Sequence, residues 1–284
     1  MKRWIWIVLA ACFFGGAFWL VLDGGRQQDL DIAPLRATFL KVGKADAAFL
    51  ECDGCFLVLD TGEEDDGQEL IEALRAAGCT RVDALILTHF DKDHIGGADQ
   101  LLEAFPVGGV WLPDYQGGGS DWNELISALE LADCEAHWLR GPAALRLGDA
   151  AVEIDPPESF AVPDGATDYD NELSLIVTVQ HGEKRLVFTG DAEKARLREY
   201  LSASPAPCDF LKLPQHGIYN SQLEPLLQAL RPQYGVACTS NKHPAEDRVL
   251  ETAARLGVKV LETRNGNIVL ESNGRYLALR QNGG

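Results

Sequence analysis

The chain has 284 residues, enough for one large domain or two small ones. With 46% hydrophobic and 24% charged residues it is neither a disordered chain, a collagen nor a coiled coil, and a single long apolar run excludes a polytopic membrane protein. A formal charge of −18 repels phosphate backbones, so no stable nucleic-acid complex is expected, and seven Cys are too few for a disulfide-built scaffold.

In chain order, Met1-Lys2-Arg3 precede an uncharged apolar run, residues 4–22, closed by Asp23. A basic start before a run of membrane-spanning length reads as a signal anchor or signal peptide over 1–23. Lys2 and Arg3 on the inner side place the remainder outside the cytoplasm, tethered through residues 4–22, or secreted if the segment is cleaved. Residues 24–34 form a polar linker, and 35–284 read as one domain. Strands are predicted over 35–42, 47–51 and 56–60, the last two joined by an Asp53-Gly54 hairpin turn. A helix over 69–77 stops at Gly78, and a buried strand over 83–88 runs into His89. Helices follow over 97–105 and 121–132, with strands at 109–112, 136–139, 143–147 and 151–154. Strands 174–179 and 185–188 turn at His181-Gly182. Helices 193–201, 222–230 and 245–256 alternate with strands 210–213, 234–238 and 258–262, and a hairpin of 267–271 and 275–279 turns at Asn273-Gly274. Two sheets covered by helices, an α/β sandwich, accommodate this order.

The strongest chemical signal is Thr88-His89-Phe90-Asp91-Lys92-Asp93-His94-Ile95-Gly96-Gly97. Two His and two Asp fall within six residues, after an apolar strand and before a glycine pair. Alternation along a strand lets His89 and Asp91 point one way, and the turn then offers Asp93 and His94. Imidazole with carboxylate suits zinc, manganese or iron. Asp191 in Thr189-Gly190-Asp191 and His216 in Gln215-His216-Gly217 also stand at strand ends. A carboxylate such as Asp191 is suited to bridge two metals.

Taken in order, these motifs resemble the metallo-β-lactamase fold superfamily, and among its branches the hydrolase domain of ComEC-type DNA-uptake proteins and the phosphorylcholine esterases. Val58-Leu59-Asp60-Thr61-Gly62 resembles the superfamily's first motif, whose Asp orders the metal loop. Residues 38–47 resemble that branch's opening strand and turn, and Asn171-Glu172-Leu173-Ser174-Leu175 resembles the segment where other branches place a third histidine. The resemblance covers about residues 36–262 and implies a four-layered αββα sandwich. It implies two divalent metal ions, zinc or manganese. One would be held by His89 and Asp91, with Asn171 as a further candidate; the other by Asp93, His94 and His216; Asp191 would bridge. It implies hydrolysis by a metal-activated hydroxide, with Asp93 and Asp191 catalytic and a small-molecule or polymeric phosphoester as substrate. Lactone or amide hydrolysis, and a degenerate non-catalytic metal-binding module, are the competing readings. Two departures bear on these: Asp91 replaces the usual His, a harder ligand favouring manganese or magnesium, and Gln215 replaces the first of two His.

Other polar residues carry weaker signals. His243, before Pro244, stands near where the branch has a His-Pro, yet equally starts a helix. Lys92 is suited to a substrate phosphate or to solvent. Asp46 reads as a turn Asp or as support behind the ligands, and Asn220 and Ser221 as turn residues. Cys52 and Cys55 flank the hairpin turn, and His137 and His181 read as structural.

Overall fold

The computed structural model describes residues 34–161 and 169–282. The membrane segment expected over 1–23 and the linker up to residue 33 lie outside the described residues. Among the described residues no helix is long and apolar enough to cross a membrane.

Fifteen strands and eight α-helices make up the described fold. In chain order they are β1 (Leu35–Phe39), β2 (Ala47–Cys52), β3 (Cys55–Thr61), α1 (Gly67–Ala76), β4 (Ala84–Ile86), α2 (Lys92–Ile95), α3 (Ala98–Ala104), β5 (Gly109–Pro113), α4 (Gly119–Leu131), β6 (Glu135–Leu139), β7 (Ala143–Leu147), β8 (Ala150–Asp155), α5 (Tyr169–Glu172), β9 (Ile176–His181), β10 (Lys184–Phe188), α6 (Lys194–Ser202), β11 (Phe210–Lys212), α7 (Leu223–Leu230), β12 (Tyr234–Ala237), α8 (Asp247–Arg255), β13 (Lys259–Glu262), β14 (Ile268–Ser272) and β15 (Leu277–Gln281).

One sheet runs β15-β14-β1-β2-β3-β4-β5-β6 and the other β13-β12-β11-β10-β9-β8-β7. Period-two alternation decides which side chains meet between them. Leu35, Ala37 and Phe39 of β1 and Leu57 and Leu59 of β3 face Val177 and Val179 of β9 and Leu186 and Phe188 of β10 in one apolar layer. Phe39, Phe188 and Phe210 lie within 6.0 Å of one another, centroid to centroid. The outer face of the first sheet packs on α1, α3 and α4 through Leu70, Leu74, Leu101 and Leu125. The outer face of the second packs on α6, α7 and α8 through Leu197, Leu226 and Val249. The result is the expected αββα order of layers.

Both sheets contain a parallel block, β3-β4-β5-β6 and β10-β11-β12-β13. Carboxyl ends of parallel strands leave backbone and loops free to build a site. Here the two blocks end at the same rim, so residues following β3, β4, β10, β11 and β12 converge there.

Two predicted turns differ from the structure. His181 pairs with Lys184, so the tight turn is Gly182-Glu183, one residue later than expected. His181 stays in the strand because its buried ring reaches Ser272 Oγ at 2.8 Å. Ser272 pairs with Leu277, so four residues, 273–276, make the last turn. Asn273 Oδ1 accepts the backbone N–H groups of Arg275 and Tyr276 and builds that wider turn. Cys52 and Cys55 stand directly opposite each other across the Asp53-Gly54 turn as thiols.

Candidate metal centre

The site is built outward from Asp60. A register shift between Ala47 and Ala48 leaves Asp60 as the extra residue of a bulge in β3, with φ of 54°. Bulges re-aim side chains, and this one turns the carboxylate out of the sheet toward the loop after β4. Asp60 Oδ1 accepts Thr88 N–H at 2.7 Å, and Oδ2 accepts Thr88 Oγ1–H at 2.8 Å and His94 Nδ1–H at 2.9 Å. Strand β4 therefore ends at Ile86, short of the predicted 88, because Thr88 bonds to Asp60 instead of a ladder partner.

With its own proton committed to Asp60, the Thr88 hydroxyl accepts His89 Nδ1–H at 3.1 Å. One carboxylate thus fixes the tautomer of two imidazoles, His94 directly and His89 through Thr88. His216 Nδ1–H donates to the Cys238 carbonyl at 3.0 Å. All three rings are buried, and among the described residues the Nε2 atoms of His89, His94 and His216 have no hydrogen-bond partner. Buried polar atoms are nearly always satisfied. Three buried Nε2 atoms at one place, each with its opposite nitrogen held by an acceptor, are the arrangement of metal-binding histidines.

Carboxylate oxygens surround these nitrogens. His216 Nε2 lies 3.0 Å from Asp191 Oδ2 and 3.4 Å from Asp93 Oδ2. His94 Nε2 lies 3.5 Å from Asp191 Oδ1, and His89 Nε2 lies 3.5 Å from Asp91 Oδ2. Ligands bonded to one metal at 2.0–2.1 Å with tetrahedral angles stand about 3.4 Å apart. The observed spacings match that edge length. Ligand atoms of His89, His94 and Asp191, and of Asp46, His94 and His216, lie within 4.8 Å of one another.

The loops are held by close backbone approach. A Cβ on Gly97 would stand 2.8 Å from Gly67 Cα and 2.8 Å from the Thr61 carbonyl, and one on Gly96 would stand 2.4 Å from Glu64 N. The glycine pair after His94 thus lets the metal loop lie flat against the loop following β3. Gln215 and His216 both adopt left-handed backbone angles, φ 47° and 52°. Strain of this kind costs on the order of 1–2 kcal/mol per residue and gathers at functional sites.

Two lysines complete the cluster. Lys212, from the end of β11, is 4% exposed. Its ammonium pairs with Asp46 Oδ2, lies 3.3 Å from Asp191 Oδ1 and donates to the Gly190 carbonyl at 3.0 Å. Asp46 in turn reaches His216 Nδ1 at 3.3 Å. Lys44 Nζ lies 3.2 Å from Asp93 Oδ2.

The charges shift one another. Burial raises the Asp191 and Asp46 carboxyls, but His216, Lys212 and His94 outweigh it and hold both well below the usual range. Burial also raises Asp93, and His216, His94 and Lys44 bring it below the usual range. Burial lowers His216, but Asp191 and Asp46 push it up to about 10 in the metal-free cluster. His94 rises well above its ordinary value for the same reason, with Asp191 the largest opposing charge.

The structure brings together His89, Asp91, Asp93, His94, Asp191 and His216, and places Asp60 behind them. Asn171 is buried, and among the described residues its Oδ1 has no partner. Gln215 points elsewhere, its amide donating to Glu193 Oε1, so its exchange for His removes no donor that the observed cluster uses. Lys92 is 70% exposed and pairs with Glu63 at 3.3 Å. His243 is exposed, its backbone N–H bonded to Ser240, and does not join the cluster. His137 stacks on Trp111. Sequence reasoning missed Lys212 and undervalued Asp46. The available signal was a lysine inside an otherwise apolar strand, Phe210 to Leu213.

The profile of the metallo-beta-lactamase superfamily matches residues 40–240. ComE operon protein 3 of Bacillus subtilis is 33% identical over 205 residues, 70% of this chain and 26% of that protein. Competence protein ComA of Neisseria gonorrhoeae is 29% identical over 218 residues, 73% of this chain and 28% of that protein. The chain therefore spans about a quarter of the length of the curated relatives it matches. Among solved structures, the metallo-beta-lactamase fold protein YhfI from Bacillus subtilis superposes with a TM-score of 0.57 at 12% identity, over 84% of this chain and 100% of that one, a likeness of fold. With a profile match over most of the chain and the converging motif residues, this chain belongs to the metallo-β-lactamase superfamily.

Proposed function

We propose that the chain is a membrane-tethered, extracytoplasmic metallohydrolase that holds two divalent ions, zinc or manganese, and cleaves phosphodiester-type substrates. The observation that carries the reading is the set of three buried, unpartnered Nε2 atoms spaced 3.0–3.5 Å from carboxylate oxygens. The charge balance supports a pair of ions. Asp46, Asp60, Asp91, Asp93 and Asp191 face Lys44 and Lys212, a deficit of three positive charges. One divalent ion leaves a buried negative charge and two leave a single positive one, which a hydroxide would neutralise.

His89 and Asp91 would hold one ion, with Asn171 as a candidate neutral donor. Asp93, His94 and His216 would hold the other, with Asp191 a carboxylate available to both. Bound there, the ions supply an acidified water at neutral pH and charge stabilisation for the developing oxyanion. The chain does the rest. Asp60 locks the two imidazoles in the tautomer that presents Nε2. Asp93 would orient the attacking water, and Lys212 holds Asp191 and Asp46 in place from behind. Asp91 in place of an imidazole gives a harder donor set, in keeping with a phosphoryl substrate. Similarity to a competence protein and to Recombination protein 2 of Haemophilus influenzae supports a phosphodiester over an amide.

The test is turnover of bis(p-nitrophenyl) phosphate by the full chain, metal-free and with manganese or zinc. Metal-dependent turnover that disappears in Asp93→Ala is expected. No turnover with any metal, while a lactone or amide is hydrolysed, overturns the phosphodiester reading.

A further inference from the structure

The geometry points to Lys44 as the group that selects an anionic substrate, which rests on the phosphodiester reading above and extends it. Two lysines touch the cluster from opposite sides. Lys212 is sealed in and has its donors committed to Asp46, Asp191 and Gly190. Lys44 is 33% exposed, and among the described residues its one hydrogen bond runs to Asp93 Oδ2 at 3.2 Å. An ammonium has three N–H donors, so two of them remain for a ligand at the place where the cluster meets solvent.

Its position is fixed by backbone. Lys44 lies in the turn between β1 and β2, where Gly43 has φ of 95°. The turn is pinned on both sides: Asp46 N–H donates to the Asp93 carbonyl at 3.0 Å, Gly62 N–H donates to the Asp46 carbonyl at 2.8 Å, and Leu40 N–H donates to the Ala47 carbonyl at 3.0 Å. The backbone of Lys44 is thus anchored to the same loop that carries Asp93, which keeps its ammonium within reach of the ligand atoms. Lys92, the other lysine near the loop, is mostly exposed and turned to Glu63. In a chain of net charge −18, an ammonium on the exposed side of the cluster places a positive charge where an anionic group would arrive. An anionic oxygen bound to the reacting centre would accept from Lys44 in a charge-assisted hydrogen bond. A neutral ester has no such charge to offer.

The test compares methyl p-nitrophenyl phosphate, a monoanion, with dimethyl p-nitrophenyl phosphate, its neutral ester with the same leaving group. Full chain and Lys44→Met are assayed at saturating manganese, with metal content and inhibition by inorganic phosphate measured alongside. A charge-assisted hydrogen bond of ordinary strength predicts a loss of about 10- to 100-fold in kcat/KM on the monoanion. The neutral ester is expected to change by less than about threefold, phosphate to inhibit correspondingly less, metal content to stay at the unmutated level, and Lys44→Arg to recover most of the loss. Equal losses on both substrates, or none, overturn the proposal while leaving the phosphodiester reading intact. If the unmutated chain turns over neither substrate, that reading fails by itself. Calorimetric binding of inorganic phosphate to the manganese-loaded protein then decides Lys44 separately, and equal affinity in Lys44→Met overturns it.

Discussion

Lys212→Met removes one charge from the interior and keeps most of the side-chain volume. Lys212 is 4% exposed, and its ammonium is shared by Asp46 and Asp191, which are themselves buried. Removing one partner of a buried ion pair typically costs about 3–5 kcal/mol, because the remaining charge is left uncompensated. Near-complete burial means that solvent screening does not reduce this figure. At neutral pH the whole effect is on display. The carboxylates hold the Lys212 ammonium above its ordinary pKa against the pull of burial, so its contribution is complete below the unfolded value of about 10.4 and is lost only as pH rises past the folded one. Asp46 and Asp191 are depressed, so theirs is present above about 3.9 and lost as pH falls toward the folded values. For a domain of this size the deficit corresponds to a fall of roughly 6–20 °C in Tm. Thermal melts followed by circular dichroism in chelator at pH 7 measure it. Saturating manganese should recover part of the loss, since bound cations neutralise the same carboxylates. A metal-free variant melting within about 2 °C of the unmutated chain would refute the reasoning.

Other changes probe other parts of the cluster. Asp60→Asn keeps the shape but puts an amide where His94 Nδ1–H and Thr88 Oγ1–H now find acceptors. Metal affinity should fall about 10- to 100-fold with the fold retained, and unchanged affinity in a chelator competition would contradict the relay. Gly97→Ala places a methyl 2.8 Å from backbone atoms of Gly67 and Thr61 and should destabilise by about 1–3 kcal/mol. Gly141→Ala, which meets nothing within 4 Å, is the control expected to melt unchanged. Metal binding should release protons. His94 and His216 are both raised in the metal-free cluster, His216 up to about 10, and ligation needs both Nε2 lone pairs. Calorimetry at pH 7 in buffers of different ionisation enthalpy should show protons released on binding, and affinity should rise with pH through neutrality. Release of none would mean that these histidines do not bind the metal.

What could be read in the sequence was local. His89 to Gly97 announces itself because ligands, strand end and glycine pair are contiguous, and Asp53-Gly54 does so because its turn chemistry fits in two residues. Asp191 and His216 were reachable because each stands directly after an apolar strand. Lys212 left a weaker signal, a lysine inside an apolar strand, which reads as outward-facing until its partners Asp46 and Asp191, distant in sequence, are known to lie beside it. The same holds for the turn at Gly182, where a tertiary bond from His181 to Ser272 moved the strand end past the local signal, whereas the last turn was widened locally by the Asn273 side chain. His243 illustrates the converse: a motif in a suitable place in the chain whose residue the fold leaves in solvent. Gln215 looked like a lost ligand and is instead the partner of Glu193.

The claim on which all of this depends is that the orphaned imidazoles and their carboxylates hold metal. The direct measurement is metal stoichiometry: the full chain, stripped with chelator and re-equilibrated with manganese or zinc, is desalted and its metal content determined against protein concentration. Two equivalents per chain, falling to one or fewer in Asp191→Ala and in His94→Ala, is the predicted result. A correctly folded chain that retains no metal would contradict the account.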